Sequence, residues 1–381
     1  MLYIDNSATT KPYPEVISTY VKVTEDYFAN PSSLHTLGSE AESLLNQSRK
    51  QVASLLGVQP QEVIFTSGGT EGNNLAIKGT ALFNRHKGNH IITSMIEHPS
   101  VLESVKQLEL IHDFEVTYLP VDDNGIVSLE HLKKELRNDT ILVSIMHVNN
   151  EVGTIQPVTE IGQLLKQYPN ALFHVDNVQG ITKVPLDLNK ANIDLCTISG
   201  HKFHGLNGTG ALFVRTGVDL LPLFSGGSQE KQLRSGTESL AGNVALAKAL
   251  RMASEKFKQQ HSILNATHTK LRSELMKIDG VIVNTPEENA APHIMNFSVP
   301  TVKAEVLVHF FGEHNIFVST TSACSSRSKA ISNTLLAMNK HQDIAKSAIR
   351  ISLSLEHNEE MITPFIQILK KGLEKLKKVM R

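Results

Sequence analysis

The residues best suited to chemistry stand at the ends of apolar runs. Lys202 lies in "SGHKFHG" (199–205), directly after the run "LCTIS" (195–199). An amine partly withdrawn from water and set among cationic neighbours has a lowered pKa and can form a Schiff base. The plainer reading is a surface lysine at a strand end. Asp176 closes "LFHVD" (172–176), and a carboxylate ending a buried strand needs a partner, because an unpaired buried charge is costly. A protonated pyridine nitrogen would be one. "SGGTEGNN" (67–74) sets glycines at a helix start, where backbone N–H groups and the helix dipole can cradle a phosphate. It is neither a P-loop nor a G-x-G-x-x-G fingerprint, and alone it reads equally well as a turn and cap. Cradle, strand-end aspartate and lysine together are the parts of a site for pyridoxal phosphate (PLP). Ser199 and His201 could add phosphate donors, His98 of "IEHPS" (96–100) could stack on the ring, and Gln179 could reach the ring oxygen.

Such groups need a sheet to hold them. Between about 60 and 215, short β-rich runs alternate with helical stretches: "EVIFT" (62–66), "HIITSM" (90–95), "EVTYLP" (115–120), "ILVSIMHV" (141–148), "LFHVD", "LCTIS" and "ALFVR" (211–215). Several are continuous apolar runs, as in a sheet covered on both faces. Helices are expected over 40–56, 71–84, 99–110 and 158–168. The fold class is therefore α/β with a mostly parallel seven-stranded sheet, whose strand ends are the natural place for a ligand. A long helical pattern from Leu240 to Ile278 precedes "GVIVN", "IMNFSV" and "IRISLS", read as a smaller α+β domain.

Length and composition bound the rest. A chain of 381 residues suggests two domains. Lys plus Arg number 37 and Asp plus Glu 38, so no charge excess points to nucleic acid or an anionic membrane. No run is long enough to span a bilayer, and "MLYIDNSATT" lacks the features of a secretory signal. With two cysteines, Cys196 and Cys324, a reducing cytoplasmic setting with free thiols is expected. Cys196, inside "LCTIS", reads as a buried inert thiol. The histidines are scattered, and "HKFH" (201–204) lacks partners at metal-ligand spacing, so no metal is expected. Cys324 differs from Cys196: it stands in "STTSACSSRSK" (319–329), where small polar neighbours suit an exposed segment and Arg327 and Lys329 favour the thiolate.

The motifs "IDNSATT" (4–10), "NPSSLHTLG" (30–38), "FTSGGTEGNNLAIKG" (65–79), "EHPSV" (97–101), "NNEVGTIQP" (149–157), "HVDNVQG" (174–180), "SGHKFHG", "RSGTE" (234–238) and "SACSS" (322–326) resemble, in order, those of the NifS/IscS-type cysteine desulfurases, PLP enzymes of fold type I in the aminotransferase class V group. The resemblance implies a large PLP-binding α/β domain over 16–255 and a small α+β domain from 1–15 and 256–381, in a homodimer with its sites at the subunit interface. It implies Lys202 as the Schiff-base lysine, Asp176 as partner of the ring nitrogen, and Gln179 on the ring oxygen. His98 would stack on the ring and move protons. Gly69, Thr70, Ser199 and His201 would hold the phosphate, and Thr237 would reach the phosphate of the other subunit. Asn150 would lie near the ring oxygen and the substrate carboxylate. Arg350 would grip that carboxylate as a fork, which a lysine could not match. Cys324 would be the nucleophile.

The implied reaction takes L-cysteine to L-alanine and leaves its sulfur as a persulfide on Cys324, a reversible cap that can be passed on. The recipient would be a sulfur-acceptor protein of iron–sulfur assembly, tRNA thiolation or thiamine synthesis. The alternatives are a selenocysteine lyase, another class V PLP enzyme, or an idle sulfur-carrier scaffold, against which the intact Lys202, Asp176 and Cys324 speak. The chain departs from the family's usual pattern at Thr321, where glycine is common, at Ser354, and at "GLNG" (205–208). Asn177 follows Asp176, where it is expected to add a polar contact near the ring.

Overall fold

The computed structural model describes residues 1–320 and 331–379. Cys324, with Thr321, Arg327 and Lys329, lies outside the described residues.

The seven expected runs form one seven-stranded sheet. In spatial order its strands are Val63–Thr66, Gly210–Val214, Leu195–Ser199, Leu172–Asp176, Thr140–Ser144, His90–Ser94 and Glu115–Leu119. Gly210–Val214 runs antiparallel to both its neighbours, and the remaining pairs are parallel. The inner strands are buried along their length except at Leu172, while the edge strand Glu115–Leu119 is partly exposed. That is the consequence of helices covering both faces.

The run expected to continue to 148 leaves the sheet after Ser144 and passes into a turn region bridged by Val148 and Ile155. The helix expected from 71 starts earlier, at Gly69, and includes a wider π turn over Leu75–Gly79 before ending at Phe83. Gly79 lies in that turn, where a Cβ would come within 2.9 Å of the Leu221 carbonyl oxygen. The close approach demands glycine.

Helix Leu240–Met276 spans 37 residues. Its first part, through Ala253, packs with helices Pro14–Asp26 and Thr36–Leu56 on the large sheet; Leu264, Leu271 and Leu275 enter a second core with Phe297, Phe311, Ile349 and Phe365. That second core covers a four-stranded sheet of Ser319–Thr320, Ala348–Ser352, Ile294–Ser298 and Ile282–Val283, antiparallel throughout. Among the described residues, no helix is long and apolar enough to cross a membrane.

Candidate active site

The carboxyl ends of the parallel strands open into a cavity of about 170 Å³. Gly69, Thr70, His98, Asn150, Asp176, Gln179, Ser199, His201 and Lys202 all line it. They arrive from several strand ends and turns. Gly69 and Thr70 begin the helix after Val63–Thr66, His98 caps helix Pro99–His112, and Lys202 ends the short 3-10 turn after Leu195–Ser199. At Gly69 a Cβ would stand 2.9 Å from Val178 Cγ2 and 3.6 Å from Ser199 Cβ. A methyl there would crowd Val178, so glycine leaves the most room at the start of the helix, where the first N–H groups have no intrahelical partner and suit an anion.

A polar chain joins Asp176 to His98. Asp176 is buried; its Oδ1 accepts from the Val178 N–H at 3.0 Å and its Oδ2 from Asn73 Nδ2 at 2.8 Å. Asn73 Nδ2 also donates to Ser100 Oγ at 2.8 Å, and Ser100 Oγ lies 2.8 Å from His98 Nδ1. The Ser100 N–H donates to the same ring nitrogen at 3.1 Å. Nδ1 is therefore an acceptor, and the neutral imidazole carries its proton on Nε2. Burial first, and then the Lys202 charge, hold the His98 ring below its ordinary pKa, with Asp176 pulling the other way. His201 is drawn down to about 4 by burial, then by Lys202, Lys183 and His98. Both imidazoles are neutral at neutral pH.

The Lys202 amine donates to the carbonyl oxygens of Ser7 at 2.5 Å and Ala8 at 2.9 Å. Gln179 Nε2 donates to the same Ser7 carbonyl at 3.0 Å. The N-terminal "NSATT" segment thus covers one side of the cavity. Asn73, Ser100, Ser7 and Ala8 stand in motifs quoted above but received no role from the sequence. Main-chain acceptors leave no signature in residue type, whereas Asn73 and Ser100 were open to discovery as polar residues one turn beyond the cradle and beyond His98.

Arg350 sits behind the cavity. It is buried in strand Ala348–Ser352, where it donates to the Asn150 carbonyl at 2.9 Å and pairs with Asp5 at 3.1 Å. Asp5 also accepts from Ser319 Oγ at 2.6 Å. Thr237 is exposed in the loop before helix Leu240–Met276, away from this cavity. Asn177 is not at the ring position: its Oδ1 lies 2.9 Å from His147 Nδ1. Its neighbour Asp176 faces the cavity, and successive side chains of an extended chain point to opposite sides. Cys196 is buried, and burial pushes its thiol strongly up, which keeps it inert.

Among the described residues, four buried polar atoms in and around the site have no hydrogen-bond partner: Ser7 Oγ, Asn73 Oδ1, Gln179 Oε1 and Arg350 Nε. Such atoms are costly unless something polar joins them. An anion cradle, a buried carboxylate and an amine around an apolar wall of Met146, Val148 and Val178 fit a phosphorylated aromatic aldehyde.

The family model described as aminotransferase class-V matches residues 2–365. The chain belongs to this family. Within it, the chain is 48% identical to the "NifS/IcsS protein homolog" of Lactobacillus delbrueckii subsp. bulgaricus, over 97% of both chains. It is 41% identical to "Cysteine desulfurase IscS" of Dictyoglomus turgidum, over 99% of this chain and 96% of that one. Among solved structures, a "NifS-like protein" superposes with a TM-score of 0.92 at 38% identity, covering 98% of this chain and 99% of that one. "SspA in complex with cysteine" superposes with a TM-score of 0.81 at 34% identity, covering 93% and 99%. The class V aminotransferase resemblance read from the nine motifs is thereby established, and with it the type I fold.

Proposed function

We propose that this class V chain is a PLP-dependent cysteine desulfurase, converting L-cysteine to L-alanine with transfer of the sulfur to Cys324. The observation that carries the proposal is the convergence of the cradle, Asp176, His98 and Lys202 on one cavity. The names and identities of the relatives support the same reaction.

PLP, when bound, supplies an electron sink conjugated to the substrate Cα. Gly69, Thr70, Ser199 and His201 would hold its phosphate, Asp176 would keep its ring nitrogen protonated, and His98 would cover one ring face. Lys202 would hold its aldehyde, and its amine, placed beside the cavity by the Ser7 and Ala8 carbonyls, would take and return the substrate α-proton. Arg350 engages the substrate carboxylate in competition with Asp5, so the Arg350 fork is already oriented before substrate arrives. The Cys324 thiolate attacks the substrate sulfur as the Cβ–S bond breaks. The balance is L-cysteine plus Cys324 thiol giving L-alanine plus Cys324 persulfide, with no outside oxidant. A sulfur-acceptor protein then takes the outer sulfur.

The same reading assigns the chain a homodimer in which Thr237, exposed here, reaches the other subunit's phosphate. It divides the chain into a body of 16–255 and one of 1–15 with 256–381, and places it in the cytoplasm. The test is incubation of the PLP-loaded chain with L-cysteine and a thiol reductant. Alanine and sulfide in equal amounts, with a persulfide mapped to Cys324 by mass spectrometry, are expected. Cys324→Ser should retain PLP and lose sulfide release; release at the parent rate would overturn the nucleophile assignment.

A further inference from the structure

The loop that leads into Thr237 is clipped to the body of its own subunit. It contains the short turn Gln229–Gln232. Glu230, Lys231 and Gln232 in it take left-handed φ values of 44°, 58° and 64°, a conformation that residues with side chains rarely adopt. Strain of this kind persists only where the surroundings over-determine it. Here the main constraint is ionic. Glu230 is buried, and its Oε1 and Oε2 accept from Arg49 Nη2 at 2.6 Å and Nη1 at 2.7 Å. Oε2 also accepts from the Phe65 N–H at 2.9 Å. Arg49, on helix Thr36–Leu56, lies over the Phe65 ring at 4.8 Å and donates to the Val63 carbonyl at 2.6 Å. The Lys231 amine donates to the Gln61 carbonyl. Further along the loop, Arg234 Nε donates to Glu71 Oε1 at 3.1 Å, and Glu71 Oε2 accepts from the Ser67 N–H at 2.9 Å.

Both clips end beside the subunit's own cradle. Phe65 lies in the strand that runs into it, and Glu71 in the first turn of its helix. The loop is also closed on itself: Ser235 Oγ donates to the Gly227 carbonyl at 2.9 Å, and the Gly236 N–H to Gln229 Oε1 at 3.3 Å. Thr237 follows directly and is exposed, so its place is set by the loop behind it. We propose that Glu230 is a positioning residue for phosphate binding across the subunit interface: its carboxylate holds the strained turn against Arg49 and the Phe65 N–H, and so fixes where Thr237 stands. This rests on Thr237 reaching the phosphate of the other subunit. A fork of two parallel hydrogen bonds adds geometric specificity as well as energy, which is what a loop needs if its last residue is to meet a ligand held elsewhere.

The experiment compares PLP with pyridoxal, which lacks the phosphate, by equilibrium dialysis against the full-length chain freed of cofactor. Thr237→Val removes the hydroxyl and should raise the Kd for PLP about tenfold, leaving that for pyridoxal within about twofold. Glu230→Gln sets an NH2 against the Arg49 donors and breaks the fork. It should raise the PLP Kd about fivefold and spare pyridoxal. Arg49→Lys, which loses the fork from the other side, should act in the same direction. In the Thr237→Val background, Glu230→Gln should add less than about twofold, because residues that act through one another are not additive. An unchanged PLP Kd in Glu230→Gln, beside a raised one in Thr237→Val, overturns the proposal and leaves the role of Thr237 standing. Equal losses for PLP and pyridoxal overturn it as well, as does a Glu230→Gln effect that adds in full to that of Thr237→Val. No loss in Thr237→Val overturns it together with the role of Thr237. Hydrogen exchange of the unaltered, PLP-loaded chain needs no variant to fold: peptides covering 229–237 should be protected, and exchange at the rate of an unfolded chain overturns the proposal. None of these readouts involves L-cysteine or Cys324, so their outcome is separate from that of the desulfuration test.

Discussion

Asp176→Asn separates the cofactor role of this residue from its structural role. Asp176 is 5% exposed, and its two oxygens accept from the Val178 N–H at 3.0 Å and Asn73 Nδ2 at 2.8 Å. An amide offers one acceptor and one donor group. Its oxygen stays on the Val178 N–H, because the main chain there is fixed, so its NH2 meets the NH2 of Asn73. Left so, the clash would cost about 1–3 kcal/mol. But Asn73 Oδ1 is buried without a partner. Half a turn of the Asn73 amide faces that oxygen to the new NH2, and the Ser100 hydroxyl can turn its proton to follow. Removing a buried charge also relieves desolvation. Stability of the cofactor-free chain should therefore change by less than about 1 kcal/mol. The ring nitrogen, in contrast, loses a buried charged partner. Truncation of such a pair costs roughly 2–5 kcal/mol, and about 3 kcal/mol is on the order of 150-fold in Kd. Equilibrium dialysis gives the PLP affinity and urea unfolding gives the stability. A Kd within about threefold of the parent, well short of the roughly 2 kcal/mol minimum, refutes the pairing. A loss of stability as large as the loss of binding energy refutes the separation.

The cradle, the carboxylate fork and a buried acid give three further expectations. Gly69→Ala places a methyl 2.9 Å from Val178 Cγ2. Its helix propensity offsets most of the overpacking, so unfolding should shift by less than about 1 kcal/mol, while PLP affinity falls about tenfold or more as the cradle narrows; unchanged affinity would show that the phosphate binds elsewhere. Arg350→Lys cannot present two parallel donors, and loss of one charged hydrogen bond should raise KM for L-cysteine by about tenfold or more. A KM equal to the parent's would remove Arg350 from carboxylate binding. Glu97 is buried, accepts from Ser94 Oγ and the Met146 N–H, and is pushed up to about 8 from 4.5, chiefly by burial. Its stabilising contribution is full below about pH 4.5 and is lost as pH rises through about 8. Glu97→Gln cannot ionise, so urea unfolding should show the variant gaining on the parent between about pH 5 and 8.5; a constant difference across that range would mean that Glu97 does not titrate there.

The chain's order of residues was enough to place the strands, because a strand covered on both faces must be apolar throughout, and "LFHVD" and "LCTIS" begin and end where the structure has them. It was enough, too, to gather the cavity's functional side chains, since polar residues immediately after such runs must emerge at the same end of a parallel sheet. Alternation along an extended chain turns Asn177 away from the ring and toward His147, in place of the polar contact expected at the ring. What only the tertiary structure decided are contacts between distant segments. The Ser7 carbonyl lies 195 residues from the lysine it receives, and Asp5 lies 345 residues from Arg350. Lys183 in "GITKVPLDL" gives no local sign of burial, and Thr182 gives none of its left-handed turn. Residue type and spacing report which face of an element is apolar and which end is polar. They do not report which main-chain carbonyl a folded segment brings against an amine, because every residue carries that carbonyl and only packing selects one.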